Sequence, residues 1–296
     1  MKIAEAVKSN ETPPEMYDYD AALAKYRDLI GQRGRAKVIL KSTKHKDAVT
    51  AAFSDLHTPY QDDAFLAWAI KDSKRRGATQ CVVVGDLNDL FCFSRFMKYD
   101  NCPLDRELGE TSKVLRILAE EFERVEVITG NHDDRAKKYF AKFVPPEFFF
   151  LVNWDIMKIA ADGLANVTFP SITVDGREMR FIWRSGDLVL GHPETSSKIP
   201  MRAVDTFANW LNQWERILNY GKVRVIGQGH THQAGGPVMR GDGVVTFELG
   251  CMCRLPDYVF DAKLCYRPQT KAYGLFVQRE GVTDLDESRL FFGPGK

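Results

Sequence analysis

From Asp47 onward the chain repeats one pattern: a short apolar run with strand character, a loop dense in Asp, Asn, Gly and His, and then a helical stretch. That alternation restricts the fold to the α/β class. The apolar runs are AVTAAF (48–53), CVVV (81–84), VEVIT (125–129), DLVL (187–190) and KVRVI (222–226). Helical periodicity lies between them near 62–76, where Phe65, Leu66, Ala69 and Ile70 share a face. It recurs near 104–123, with Val114, Ile117, Leu118 and Phe122 at i, i+3, i+4 and i+8, and again near 201–219. A less regular insertion over about 140–180 holds Pro145, Pro146 and the aromatic run Phe148, Phe149 and Phe150, read as core packing before groove lining. The last sixty or so residues read as short strands separated by Gly turns.

Residues 1–47 read as an accessory segment and 48–296 as the main domain. Pro13 and Pro14 precede a helical pattern bearing Tyr19, Leu23, Tyr26 and Ile30 on one face. Arg33, Arg35, Lys37, Lys41, Lys44 and Lys46 then follow without an acid, a solvated face before a phosphate-binding one. With 44% hydrophobic and 27% charged residues in 296, disorder, collagen and coiled coil are excluded. A chain of this length builds a large core without metal or disulfide staples. The net charge of +1 supplies no global field, so an anionic partner must be held locally. No apolar run approaches the roughly 18 residues of a membrane span. The six cysteines form no Cys-x2-Cys pair and the first residues lack an apolar signal core, so reduced thiols in the cytoplasm are expected. Cys251 and Cys253 flank Met252 on a strand-like run and point the same way, as buried thiols or, less simply, as two soft ligands.

The histidines carry the chemistry. Five of the six follow apolar runs directly: Asp55-Leu56-His57, Gly130-Asn131-His132-Asp133, Gly191-His192 and Gly229-His230-Thr231-His232. A further run ends in Gly85-Asp86-Leu87-Asn88-Asp89. Loops at the carboxyl ends of strands share one rim in open α/β sheets, so these motifs are expected to converge. Asp55, His57, Asp86, Asn131, His192, His230 and His232 combine hard oxygen with imidazole and no thiolate, a set suited to Mn, Fe or Zn. Seven ligands exceed one tetrahedral ion and suit two ions sharing a carboxylate, with positions left for water and substrate. Phosphoester hydrolysis is the chemistry such a pair performs.

In this order the five motifs resemble the calcineurin-like metallophosphoesterase superfamily, whose pattern is DxH, GDxxD, GNH(D/E), a lone His and GHxH, over about residues 50–235. The resemblance implies a sandwich of two mixed β-sheets flanked by helices, with a dinuclear metal site at the strand C-terminal ends. It implies that Asp55, His57 and His232 bind one metal, Asn131, His192 and His230 the other, and that Asp86 bridges them. Metal-bound hydroxide would attack phosphorus in line, Asn131 and His132 would contact the phosphate, and His132 would be the general acid oriented by Asp89. Two divalent ions are implied, Mn2+ first, with Fe, Zn or Ni open. Leu90 and Phe91 stand where protein serine/threonine phosphatases of the superfamily carry Arg-Gly after GDxxD, which disfavours that activity. Arg135 is the candidate replacement for gripping phosphate, a surface salt bridge being its plainer role. The tail, with Glu248-Leu249-Gly250-Cys251 and Pro256-Asp257-Tyr258, resembles stand-alone phosphoesterases of bacteria and bacteriophages. A phosphodiester substrate is preferred, with DNA open because Lys137, Lys138 and Lys142 accompany Arg135. A phosphomonoesterase acting on nucleotides or small phosphates, or a non-catalytic scaffold of the same fold, are the alternatives. Neither a membrane nor an obligate protein partner is expected.

Overall fold

The apolar runs become the inner strands of two packed sheets. A computed structural model describes residues 47–94, 102–148, 155–174, 177–218, 222–255 and 269–293. The readings for the accessory segment 1–46, for Phe149 and Phe150, for Cys265 and for Pro256 to Tyr258 lie outside these residues. The first sheet has the order β13-β12-β1-β2-β3-β4. Its strands are β1 (Ala48–Phe53), β2 (Gln80–Val84), β3 (Arg124–Ile128), β4 (Val167–Thr168), β12 (Ala272–Arg279) and β13 (Val282–Phe292). The run β1 to β4 is parallel, while β12 and β13 are antiparallel to their neighbours. The second sheet, β10-β11-β9-β8-β7, comprises β7 (Ile182–Ser185), β8 (Leu188–Gly191), β9 (Val225–Gln228), β10 (Ala234–Met239) and β11 (Val245–Leu249). Its centre β8, β9, β11 is parallel and both edges are antiparallel. Strands β5 (Ile172–Val174) and β6 (Arg177–Met179) form a separate hairpin.

Alternation along each strand sorts the core into three layers, because successive side chains face opposite ways. Ala52, Val82, Val84 and Ile128 of the first sheet meet Leu188, Leu190, Val225 and Phe247 of the second between the sheets. Ala51, Phe53, Cys81, Val83 and Val127 face the other way, onto α1 (Asp63–Arg75) and α2 (Leu104–Glu121). Val189 and Ile226 face the helix Arg202–Leu218 through Val204, Phe207 and Ala208. Strands buried on both faces read as continuous apolar runs, which is why these segments stood out in the sequence. The architecture is therefore the expected sandwich of two mixed sheets flanked by helices.

Four details differ from expectation. On α2 the inward stripe is Glu107, Thr111, Val114, Leu115 and Leu118, whereas Ile117 is 47% exposed. Ladder pairing of KVRVI starts only at Val225, opposite Leu188. The final strands are long, because Gly274 lies inside β12 where a Cβ would press on the Phe276 ring, so this glycine serves close packing and not a turn. The real turn is Glu280-Gly281, both at positive φ, the two-residue connection that suits a twisted hairpin. Phe148, in a short 3₁₀ turn, is exposed rather than core. Among the described residues no helix is long and apolar enough to cross a membrane, and Cys81, Cys92, Cys102, Cys251 and Cys253 are free thiols.

Helix α1 is tied to the first sheet by a buried carboxylate. Asp72 accepts from Tyr273 Oη at 2.7 Å, from Arg76 Nε at 2.7 Å and from Arg75. Burial alone would raise its pKa, but these donors outweigh it and hold the group below its ordinary value. Replacing Asp72→Asn is expected to cost about 1–2 kcal/mol at neutral pH. Because the folded pKa is the lower one, the wild-type advantage is complete above about pH 4 and is lost as pH falls through the folded value. Urea unfolding of both proteins at pH 7, 5 and 3 checks this; a gap that stays constant to pH 3 contradicts it.

Candidate metal centre

The carboxyl ends of β1, β2 and β3 in one sheet, and of β8 and β9 in the other, open onto one seam. Asp55 and His57 follow β1, Asp86 and Asp89 follow β2, Asn131 and His132 follow β3, His192 follows β8, and His230 and His232 follow β9. All the sequence-predicted residues are thus brought to the same end of the sandwich. The loops interlock through backbone hydrogen bonds: His57 N donates to Asp86 O at 2.9 Å and Thr58 N to Leu87 O at 2.8 Å. Asp55, His57, Asp86, His230 and His232 all have positive φ, the left-handed region that costs non-glycine residues of order 1 kcal/mol or more each. Strain collected on five site residues marks a geometry held for chemistry and not for stability. Gly130 is required by proximity, since a Cβ there would collide with the carboxylate and backbone of Asp86.

Two carboxylates form the centre, with Asp55 and Asp86 at most 1% exposed. Each has one oxygen anchored and one presented. Asp86 Oδ1 accepts from His132 N at 2.8 Å, while Oδ2 lies 3.2 Å from His192 Nε2, 3.7 Å from His57 Nε2 and 4.0 Å from His132 Nε2. Asp55 Oδ2 accepts from His230 N at 3.0 Å and from Ser54 Oγ. Its Oδ1 lies 3.1 Å from His232 Nε2, 3.8 Å from His57 Nε2 and 3.9 Å from His192 Nε2. The ring nitrogens of His57 and His232 approach to 3.1 Å. One ligand atom each from Asp86, His192 and His230 falls within a 4.8 Å cluster, as does one each from His57, Asp86 and His132.

The far sides of the rings are held. His192 Nδ1 donates to Val84 O at 2.8 Å, which turns Nε2 toward Asp86. His57 Nδ1 faces Asp89 Oδ2 at 3.1 Å, a carboxylate–imidazole pairing typical behind a metal-binding ring. The Gln269 side-chain amide lies 2.8 Å from His232 Nδ1. Cys253 Sγ is 3.9 Å from that same Nδ1, on the side of the ring away from Asp55. Its sulfur also clusters with the His57 and His232 nitrogens within 4.8 Å, while Cys251 is in none of the clusters of described residues.

Charge balance follows from this geometry. Burial pushes Asp55 up, but the cationic His192 and His232 overcome it and hold the carboxylate well below its usual range; His192 foremost does the same for Asp86. Burial opposes charge on His57, yet the nearby carboxylates of Asp55 and Asp89 lift it to about 9. The charges of Asp86 and Asp55 likewise lift His192 to about 9. His230, buried and beside His192, is pushed down to about 4. Two buried anions thus draw positive charge into the seam.

The residues fit divalent cations. Asp55 Oδ1, Asn131 Oδ1 and His192 Nε2 are buried and lack any hydrogen-bond partner, although buried polar atoms nearly always have one. The two oxygens are acceptors that a cation at the seam satisfies, and His192 Nε2 becomes a third once a cation takes the place of its proton.

Beside this cluster, His132 Nδ1 lies 3.1 Å from Asp89 O and 3.4 Å from Asp89 Oδ2. Arg135 Nη1 donates to Asp89 O at 2.8 Å and Oδ1 at 3.0 Å, and Nη2 lies 2.9 Å from His132 Nε2. Its guanidinium is mostly buried against a fully buried partner, which is not a surface salt bridge. Asp89 thus serves His57, His132 and Arg135 together. The motifs also contain positioning residues whose contacts no spacing revealed. Asp133 Oδ1 accepts from Asn88 N at 3.0 Å and Nδ2 at 3.1 Å, and Oδ2 from Gly130 N at 2.8 Å, stapling the second and third loops. From α2, Thr111 Oγ1 sits 2.6 Å from both Thr58 Oγ1 and Asn88 Oδ1, and Glu107 accepts from Leu90 N. Asp133 was visible inside GNHD, whereas Thr111 and Glu107 look like ordinary helix positions in the sequence.

Similar solved structures include an archaeal phosphodiesterase, 14% identical, with 82% of this chain and 99% of that chain covered and a TM-score of 0.37. Vacuolar protein sorting 29 from Cryptosporidium parvum is 15% identical, covering 84% and 100%, TM-score 0.38. Yfce, a phosphoesterase from E. coli, is 14% identical, covering 79% and 96%, TM-score 0.33. No curated protein sequence matches the chain. Residues 49–234, well over half the chain and the whole span of the five loops, match the calcineurin-like phosphoesterase family. With that span matched, the chain belongs to the calcineurin-like phosphoesterase family, as an enzyme of metal-dependent phosphoester hydrolysis.

Proposed function

We propose that the enzyme is a dinuclear phosphodiesterase. Asp55, His57 and His232 would hold one cation, Asn131, His192 and His230 the other, and Asp86 both. The buried atoms Asp55 Oδ1, Asn131 Oδ1 and His192 Nε2, none with a hydrogen-bond partner, carry this reading, because they belong to both halves of the site. Manganese suits a set of carboxylate, amide and imidazole without an inward-facing thiolate, and the free thiols suit a reducing, cytoplasmic setting. Bound divalent ions would lower the pKa of water into the neutral range and neutralise charge on the phosphoryl group.

The chain supplies the remaining steps. A substrate phosphate offers the Arg135 guanidinium a stronger acceptor than the neutral nitrogen His132 Nε2 that it now contacts at 2.9 Å. Its shift to phosphate frees Nε2 to take a proton from solvent and pass it to the leaving oxygen, while Asp89 retains the ring through Nδ1 and stabilises the protonated form. Asn131 lies one residue before His132 and orients the phosphoryl group from the same loop.

Metal-stripped protein titrated with Mn2+ is expected to recover hydrolysis of bis-p-nitrophenyl phosphate in preference to p-nitrophenyl phosphate. A strong preference for the monoester overturns the diester reading. His132→Ala is expected to keep its metal content, measured by elemental analysis, and to lose about 10²- to 10⁴-fold in kcat. Unchanged turnover in that variant removes His132 from the acid role.

A further inference from the structure

Helix α3 (Arg135–Phe140) leaves the catalytic loop directly after His132 and carries a stripe of side chains away from it. Arg135, Tyr139 and Phe143 recur four residues apart, and the helical hydrogen bonding continues past Phe140 through Ala141 N to Lys137 O at 3.0 Å and Val144 N to Phe140 O at 2.9 Å. These three therefore share one face, one turn apart. The stripe begins at the catalytic pair, since Arg135 contacts both His132 and Asp89. It ends in solvent, with Tyr139 40% and Phe143 69% exposed.

The opposite face of the helix explains why the aromatics are not core. Ala136 is buried against Leu90 and Ile156, with Phe140 and Phe93 packed around them. Phe140 anchors the helix, which leaves Tyr139 and Phe143 directed outward. Phe93, four residues past Asp89, joins them from the second catalytic loop. Ring centroids are 5.5 Å apart for Phe93–Tyr139 and 5.2 Å for Tyr139–Phe143, with the planes tilted by 53° and 55°, so the three rings adjoin and present differently directed faces. The second catalytic loop thus contributes one ring, and the helix that follows the third contributes two, to a platform beside the reactive centre.

Charge selects the occupant. The segment 135–143, RAKKYFAKF, has four cations and no acid in a chain whose net charge is only +1. Lys137, Lys138 and Lys142 are interleaved with the aromatics, and Lys138 also pairs with Glu194 two residues past His192. Asp134 lies near Lys137 and Lys138, and Lys142 precedes Phe143 directly; an apolar protein face offers nothing to this cationic run, whereas a ligand with aromatic rings and phosphates matches both features. Nucleobases stack on exposed aromatic rings without sequence preference, and the phosphates between them meet lysines. Paired bases in a duplex do not offer those faces.

We propose that Tyr139, Phe143 and Phe93 form a base-stacking platform, so that the substrate is a nucleotide-bearing phosphodiester or a single-stranded nucleic acid. This deepens the phosphodiesterase reading and rests on it for the reacting phosphate. Two readouts test it. Thymidine 5′-(p-nitrophenyl phosphate) and methyl p-nitrophenyl phosphate share a leaving group and differ in the nucleoside. In the Tyr139→Ala/Phe143→Ala double variant, KM for the thymidine ester is expected to rise roughly tenfold or more, with KM for the methyl ester unchanged. Binding of a short fluorescein-labelled oligothymidylate, followed by polarisation, is expected to weaken by a similar factor or more, and Tyr139→Phe to retain wild-type binding. Equal KM effects on the two esters, or unchanged oligothymidylate affinity, overturns the platform. So does a wild-type dimer that the double variant dissociates while both esters react as before. If the wild type hydrolyses neither diester, the phosphodiesterase reading falls on its own and the polarisation result alone decides the platform.

Discussion

The structure depends on two carboxylates buried where the sheets meet. Asp55 and Asp86 have almost no access to water, and an isolated buried carboxylate is untenable without compensating charge. Compensation comes from the imidazoles of His57, His192 and His232, delivered by three loops, with one oxygen of each acid fixed by a backbone N–H, that of His132 for Asp86 and that of His230 for Asp55. No single sheet provides this. The first sheet supplies both acids and His57, and the second supplies His192, His230 and His232. The sandwich is thus the means by which opposite charges from distant parts of the chain are enclosed together.

Holding that arrangement works against local preference. Five site residues sit at positive φ, and Gly130 is the only residue type that fits against Asp86. Such strain persists only when the surroundings over-determine it. Here they do so through the inter-sheet core below and the polar staples above, where Asp133, Asn88, Thr111 and Thr58 link three loops to α2. Preorganisation of this kind keeps donors in place for cations and for charge that develops during reaction.

Much of this was legible in the sequence, for identifiable reasons. Strand β1 matches AVTAAF to the residue, because a strand buried on both faces leaves a continuous apolar run. The site positions were legible because loop chemistry concentrated in Asp, Asn, Gly and His stood against those runs. The division into two sheets was not, since parallel runs look alike whichever sheet they join; that expectation came from resemblance. Leu115 was missed in favour of Ile117 because helical periodicity does not say where a stripe is centred. The second partner of Asp89, His57 Nδ1, and the clamps from Thr111 and Glu107 arise from contacts between residues 17 to 53 positions apart, which no local pattern records.

The central claim is that Asp86 stands between two cations at the seam of the sheets. Anomalous diffraction from Mn2+-soaked crystals tests it directly. Two peaks about 3.5 to 4 Å apart are expected, one beside Asp55, His57 and His232 and one beside Asn131, His192 and His230, with the Asp86 carboxylate touching both. A single peak, or peaks remote from Asp86, contradicts it.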